Sequence, residues 1–222
     1  MQSTEQYLNL YRECRSLIGR HSAPVMNVLR DEAHDELLRM GFPTRQDEEY
    51  KYTDVEAIFA PDYGINLGRL DIPVNPYDVF KCDVPNMSTS LYFIVNDRFY
   101  MKALPKVALP EGVLLGSLKE IAEQYPDFVS KYYGQLADTR SNAITALNTM
   151  FAQDGLLLYV PKGVVVEKPI QLVNILRADV NFMVNRRVLI ILEALAQARL
   201  LMCDHAMAEV GIPANQAIEL FV

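Results

Sequence analysis

Cys203 and His205 stand two residues apart in Met202-Cys-Asp-His205. Residues two apart on a strand share a face, so this spacing lets a thiol and an imidazole meet one ion or each other. Two ligands do not complete a metal site. Cys14 and Cys82 are too distant in sequence to form a CxxC pair with Cys203 or with one another. A buried thiol beside an imidazole with a solvated tip is the simpler reading. His34, in Arg30-Asp-Glu-Ala-His-Asp-Glu-Leu, has no second histidine four residues on, so it reads as part of a solvated helix face rather than a metal helix. Asp179, Glu167 and Glu193 in the β-rich part are of the type that pairs for glycoside or uronide chemistry on a solenoid, though their spacing does not show such a pair. Val160-Pro-Lys-Gly-Val has one glycine and no helix after it, so it cannot cradle a triphosphate, and Gly116-Ser117 reads as a helix cap, not a nucleophile elbow. Arg45, Asp47, Glu48, Glu49 and Lys51 around Tyr50 and Tyr52 form a mixed-charge patch, either a solvated loop or a docking surface.

The elements that would position these residues follow from patterning. Of the 222 residues, 50% are hydrophobic and 22% charged, a composition that folds and buries a core. With 21 basic and 28 acidic residues, the net charge of −7 provides no broad basic field, which argues against nucleic acid as a ligand. Apolar runs stop well short of the roughly 20 residues needed to span a membrane. Three scattered cysteines and an N-terminus without a basic or apolar leader suit a reducing compartment, so the expected setting is the cytoplasm.

Apolar residues Tyr7, Leu10, Tyr11, Cys14, Leu17 and Ile18 predict a first helix opened by a Ser3 and Gln6 capping box and ending near Gly19. A second helix is predicted from Ser22 and Pro24 to Gly41, and a short one opened by Thr53 and Glu56. Frequent prolines and glycines between Ala60 and Ser90 predict an irregular connector. Asn96-Asp97 between Leu91–Val95 and Arg98–Met101 predicts a hairpin, Ser117 a helix cap, and the stretch from about Thr139 to Phe151 a helix stopped by Asp154-Gly155. Beyond it, short β-type runs at Leu156–Val160, Val164–Glu167, Ile170–Ile175, Val188–Leu192, Ala198–Cys203 and Ile218–Val222 suit a sandwich, a barrel or a right-handed solenoid. The chain divides accordingly into a helical region (1–60), a connector with hairpin and helices (61–151) and a β-rich core (152–222). Its last run ends without a turn or polar cap, which reads as a domain cut short and predicts self-association through the β-rich end.

Three stretches resemble one family. Gly41-Phe-Pro-Thr-Arg-Gln-Asp-Glu-Glu-Tyr-Lys-Tyr-Thr-Asp resembles the P-T-R-x-(D/E)-E-x-(W/Y)-K-Y-T signature of SufD-type members of the SufB/SufD iron–sulfur assembly family, with Tyr50 where many relatives carry tryptophan. Leu147-Asn-Thr-Met-Phe-Ala-Gln-Asp-Gly-Leu-Leu-Leu-Tyr-Val-Pro-Lys-Gly-Val resembles the entry to that family's core domain, and Arg187-Val-Leu-Ile-Ile-Leu-Glu-Ala-Leu-Ala-Gln-Ala-Arg-Leu resembles one of its coils. The resemblance implies an α+β chain, in which a helical N-terminal domain precedes the first coils of a right-handed parallel β-helix. It also implies a non-enzymatic scaffold that needs no cofactor of its own and acts with SufB and the ATPase SufC. The family's SufC-docking helices and interface histidine lie in a later part of a longer chain, so the resemblance assigns no catalytic, cofactor-binding or metal residue to this sequence.

Overall fold

The computed structural model describes residues 2–80, 88–102, 104–105, 108–207 and 209–222. Helix α1 (Gln2–Arg20) runs as the apolar spacing predicts, burying Tyr7, Leu8, Tyr11 and Ile18. Ser3 lies inside it rather than capping it, and its backbone N–H donates to the Glu56 carboxylate at 3.0 Å. The single helix expected from Ser22 to Gly41 divides into α2 (Pro24–Asn27) and α3 (Arg30–Met40). Arg30 accounts for the break by turning its guanidinium into the interior, where it donates to the carbonyls of Thr149, Met150 and Ala152 at 2.7–2.9 Å. Those carbonyls close α8 (Ala143–Phe151), so a side chain from another helix satisfies groups that a helix end leaves orphaned. Between these helices lies α4 (Val55–Phe59), capped by Asp54 and not by Thr53. Tyr7, Phe42, Phe59 and Phe151 pack edge-on or stacked where α1, α4 and α8 meet.

The connector is irregular as expected, apart from α5 (Pro76–Val79). The hairpin forms as β1 (Ser90–Val95) and β2 (Arg98–Phe99), with Asn96 at φ 54° in the turn. A strand that the pattern did not predict, β3 (Leu114–Ser117), leads into α6 (Leu118–Gln124) and, after Tyr125, α7 (Pro126–Val129). Then follow β4 (Gly155–Val160), β5 (Ile170–Leu176), β6 (Val184–Leu192), β7 (Leu200–Ala206) and β8 (Ala214–Phe221). The expected run at Val164–Glu167 is not a strand and contributes only an isolated bridge from Val165 to Gln197.

These strands do not build the right-handed parallel β-helix that the resemblance implied. They form two open mixed sheets of four strands, ordered β2-β1-β5-β7 and β3-β4-β6-β8, and the fold is α/β. Each sheet is parallel through three strands and begins with an antiparallel one, β2 against β1 and β3 against β4. Short Val-, Ile- and Leu-rich runs at even spacing serve either architecture, and the antiparallel partners come from the hairpin and from β3, outside the β-rich run. The sheets face one another through Tyr92, Ile94, Leu172, Leu158, Val188 and Ile190. The outer face of the second sheet packs on α2, α6 and α7 through Leu157 and Leu189, and that of the first on the connector through Phe93, Val173 and Ile175. Gly155, at φ 153°, lets β4 approach the Arg187 carbonyl on β6 so closely that a Cβ there would collide with backbone.

Candidate functional site

A cleft of about 700 Å³ opens between the connector and the edge where the two sheets begin. Its floor is an ion triad. Arg69, at φ 55° in the connector, donates to Asp97 at 2.5 Å and reaches Asp154 at 3.4 Å, and all three side chains are less than a tenth exposed. Asp97 sits in the β1–β2 turn and Asp154 just before β4. Asp154 also accepts from the Ser117 hydroxyl at 2.8 Å and the Lys119 N–H at 3.1 Å, while Ser117 caps α6 through the Glu120 N–H. Burial pushes the Asp97 carboxyl above the ordinary aspartate range; Arg69 opposes that shift and the charge of Asp154 adds to it. Ile72, Val74, Val95 and Phe99 form apolar walls, and Arg98 and Lys102 stand at the rim against Asp71. The arrangement clamps the connector to both sheets and presents one carboxyl that holds its proton unusually well. That is equipment for binding and positioning.

The residues singled out from sequence lie elsewhere. Cys203 and His205 do share the outer face of β7. The Cys203 thiol lies 3.7 Å from the Gln171 amide and 3.9 Å from the Leu172 carbonyl, and the His205 ring packs edge-on against Phe80 at 5.7 Å. Among the described residues, no three His, Cys, Asp or Glu side chains converge on a metal-sized space, and Cys82 lies outside those residues. His34 is not on a solvated face: its ring is only 12% exposed and packs at 5.5 Å on Tyr11, with Nδ1 3.0 Å from Asp35. Asp179 lies in a bend five residues before the nine-residue β6 and Glu193 directly after that strand, so β6 runs between them, and each is engaged locally, by Arg177 and by the Lys162 N–H. Glu167 is exposed. In the charged patch, Lys51 pairs with Glu48 and lies over the exposed Tyr52 ring, Arg45 pairs with Asp54, and Tyr50 packs on the helical core.

Sequence reasoning missed the triad because Asp97 and Asp154 both read as turn residues. The positive φ of Arg69 has no signature in a residue type that rarely adopts it.

With this geometry in place, comparison defines the class. The family model of the SufBD protein N-terminal region matches residues 1–172. The chain belongs to the SufBD family. It is similar to the "Iron-sulfur cluster assembly SufBD family protein slr0076" of Synechocystis, at 24% identity over 194 residues, covering 87% of this chain and 42% of that protein. It is also similar to "Protein ABCI7, chloroplastic" of Arabidopsis thaliana, at 24% identity over 154 residues, covering 68% of this chain and 30% of that one. A shorter segment of 54 residues is 39% identical to the "Iron-sulfur cluster assembly SufBD family protein slr0074" of Synechocystis. The chain thus spans less than half the length of the curated relatives it matches. Among the described residues, no helix is long and apolar enough to cross a membrane.

Proposed function

We propose that the chain serves iron–sulfur cluster assembly as part of a non-enzymatic, SufD-like scaffold subunit working in the cytoplasm with SufB and the ATPase SufC. The single observation that carries this reading is the SufBD N-terminal family match over residues 1–172, which covers the helical layer, the connector and the first sheet strands together. The names of the relatives point to the same process. The SufD-like assignment rests on the Gly41 to Asp54 stretch, whose charged groups and Tyr52 lie at the surface while Tyr50 packs on the helical core. The cluster is cargo in this reading, and the role of this chain is to hold partners.

The test is replacement. A chimera carrying residues 1–172 in place of the matching region of SufD, expressed with SufB and SufC in cells that depend on this machinery, is expected to co-purify with both and to restore an iron–sulfur enzyme. A chimera that replaces SufB but not SufD would move the assignment to SufB. One that folds and replaces neither would overturn the reading. We further propose that the 222-residue chain associates with itself through the exposed edge strand β8.

A further inference from the structure

Behind α8 the interior holds two guanidinium groups and one carboxylate. Arg30 is fully engaged, donating to three carbonyls, to the Ser22 hydroxyl at 2.9 Å and to the Asn27 side chain at 2.9 Å. Its pKa is lowered by burial, and the nearby charge of Arg187 contributes to the lowering, so the two cations sense one another. Arg187, on β6, has no exposed side-chain surface. Its Nη2 donates to the Thr149 hydroxyl at 2.6 Å, and its guanidinium carbon lies 5.2 Å above the Tyr133 ring. Glu219, on β8, stands 3.5 Å from Nη1, but its oxygens accept the N–H groups of Gly134, Leu136 and Ala137 at 2.9–3.2 Å. The contact with Arg187 is Coulombic and is not a hydrogen bond.

Buried polar groups remain over. Among the described residues, Arg187 Nε and Nη1, the Tyr133 hydroxyl and both amide atoms of Asn185 have no hydrogen-bond partner, nor has Asn148 Oδ1. Asn185 lies on the same face of β6 as Arg187, and Asn148 reaches the Arg186 carbonyl from α8. Three of these groups, Arg187 Nε, Arg187 Nη1 and Asn185 Nδ2, are pure donors, and the Tyr133 hydroxyl can donate too. The acceptors left over are two amide oxygens. Orphaned buried donors each cost free energy comparable to a lost hydrogen bond, and a buried charge without full compensation costs more. What this layer lacks is an acceptor carrying one negative charge.

We propose that Arg187, with Tyr133 and Asn185 around it, forms a buried site for a small monovalent anion of halide size. The size follows from burial: Arg187 has no exposed surface and Tyr133 and Asn185 almost none, which leaves no opening for a larger ligand. The single charge follows from two cations set against one carboxylate. Such an ion would tie β6 to the 134–137 turn that also holds Glu219, so loading and the order of that turn are linked.

Chloride itself is the probe. Chlorine-35 NMR of the folded chain is expected to show excess line broadening that bromide displaces. The unfolding temperature should rise saturably with sodium chloride relative to sodium gluconate at equal ionic strength. Arg187→Met should abolish both effects. Tyr133→Phe, which removes one neutral donor and keeps the ring under the guanidinium, should weaken the half-saturating chloride concentration about fivefold. If Arg187→Met does not fold, the decision passes to Tyr133→Phe and to a bromide-grown crystal, in which the anomalous peak should lie within hydrogen-bond distance of Arg187 Nε or Nη1. Identical unfolding in chloride and gluconate, broadening unchanged in Tyr133→Phe, or ordered water at those atoms in the bromide crystal would each overturn the proposal.

Discussion

Arg187 and Glu219 face one another diagonally across neighbouring parallel strands at 3.5 Å, and neither side chain has any exposed surface. The two members are supported unequally. Three backbone N–H groups hold the carboxylate, whereas one hydroxyl holds the guanidinium.

That inequality predicts a ranking. Glu219→Gln keeps the shape but strands Arg187 as an unbalanced buried cation and sets an amide NH2 among N–H donors, so a loss of about 3–5 kcal/mol is expected. Arg187→Met leaves a carboxylate that three N–H groups still solvate, and the expected loss is smaller, about 1–3 kcal/mol. Urea unfolding monitored by circular dichroism in one chloride concentration checks the order. The reverse order would mean that the three amides contribute less than their geometry implies.

Arg69 has two carboxylate partners of different character. Asp97 is held mainly by Arg69, and its pKa is raised, so the folded chain binds that proton more tightly than the unfolded chain does. Its contribution to stability is therefore greatest below the ordinary aspartate range and declines as pH rises from there through the folded pKa. Asp97→Asn is expected to flatten this dependence and to leave stability near pH 7 within about 1 kcal/mol of the parent, since Asp154 still balances Arg69. Asp154→Asn also weakens the bonds from Ser117 and Lys119, and should cost about 2–3 kcal/mol at pH 7. Urea midpoints from pH 4 to pH 8 for the three proteins separate the roles.

What the sequence made legible was local. The hairpin at Asn96-Asp97, the Ser117 cap and the helical face of Tyr7, Tyr11 and Ile18 each depend on residues a few positions apart, and each formed where expected. The division of Ser22 to Gly41 was hidden because its cause, the bonds from Arg30 to the carbonyls of 149–152, spans about 120 residues. Sheet architecture was hidden for the same reason. Nothing near Ile170–Leu176 records that β1 will lie beside it, with Ser90 in register with Ile170. The candidate cleft is the extreme case, because its floor joins positions 69, 97 and 154, each ordinary in its own neighbourhood.

Glu56 gives a pH dependence of opposite sign. The hydrogen bond from the Ser3 backbone N–H holds its carboxyl down to about 2, so its contribution is present above the ordinary glutamate pKa and is lost as pH falls from about 4.5 through about 2. The group is only partly buried, and solvent screening keeps the stabilisation modest. Carboxyl-carbon NMR should record the depressed titration. Glu56→Gln should speed amide exchange at Ser3 without changing exchange in α8; a Glu56 titration near 4.5 would contradict the contact.

The last prediction concerns the proposed self-association. Strand β8 pairs with β6 on one side, and no other described strand pairs with it. Its one charged side chain, Glu219, points inward and is buried, while Ile218 is 44% and Leu220 50% exposed. An eight-residue edge with no exposed charge, proline or bulge lacks the usual guards against strand addition. A two-fold antiparallel pairing centred on Ile218 sets Ile218 against its copy, Gln216 against Leu220 and Ala217 against Glu219. No like charges meet in that register, so a second copy of the chain is a complementary occupant. One added strand covers less than the roughly 800 Å² per partner of a standard interface, so the dimer should be weak, forming at about 100 μM and above. Phe221 is a poor site for the test, because its ring packs on Tyr132 at 5.0 Å and its loss would disturb the fold. Leu220→Lys instead places a charge on the exposed face and is expected to leave the unfolding midpoint nearly unchanged while abolishing association. Sedimentation equilibrium over a dilution series from about 5 to 500 μM decides the matter. A parent chain that stays monomeric throughout, or a Leu220→Lys variant that associates as the parent does, would remove β8 from the interface.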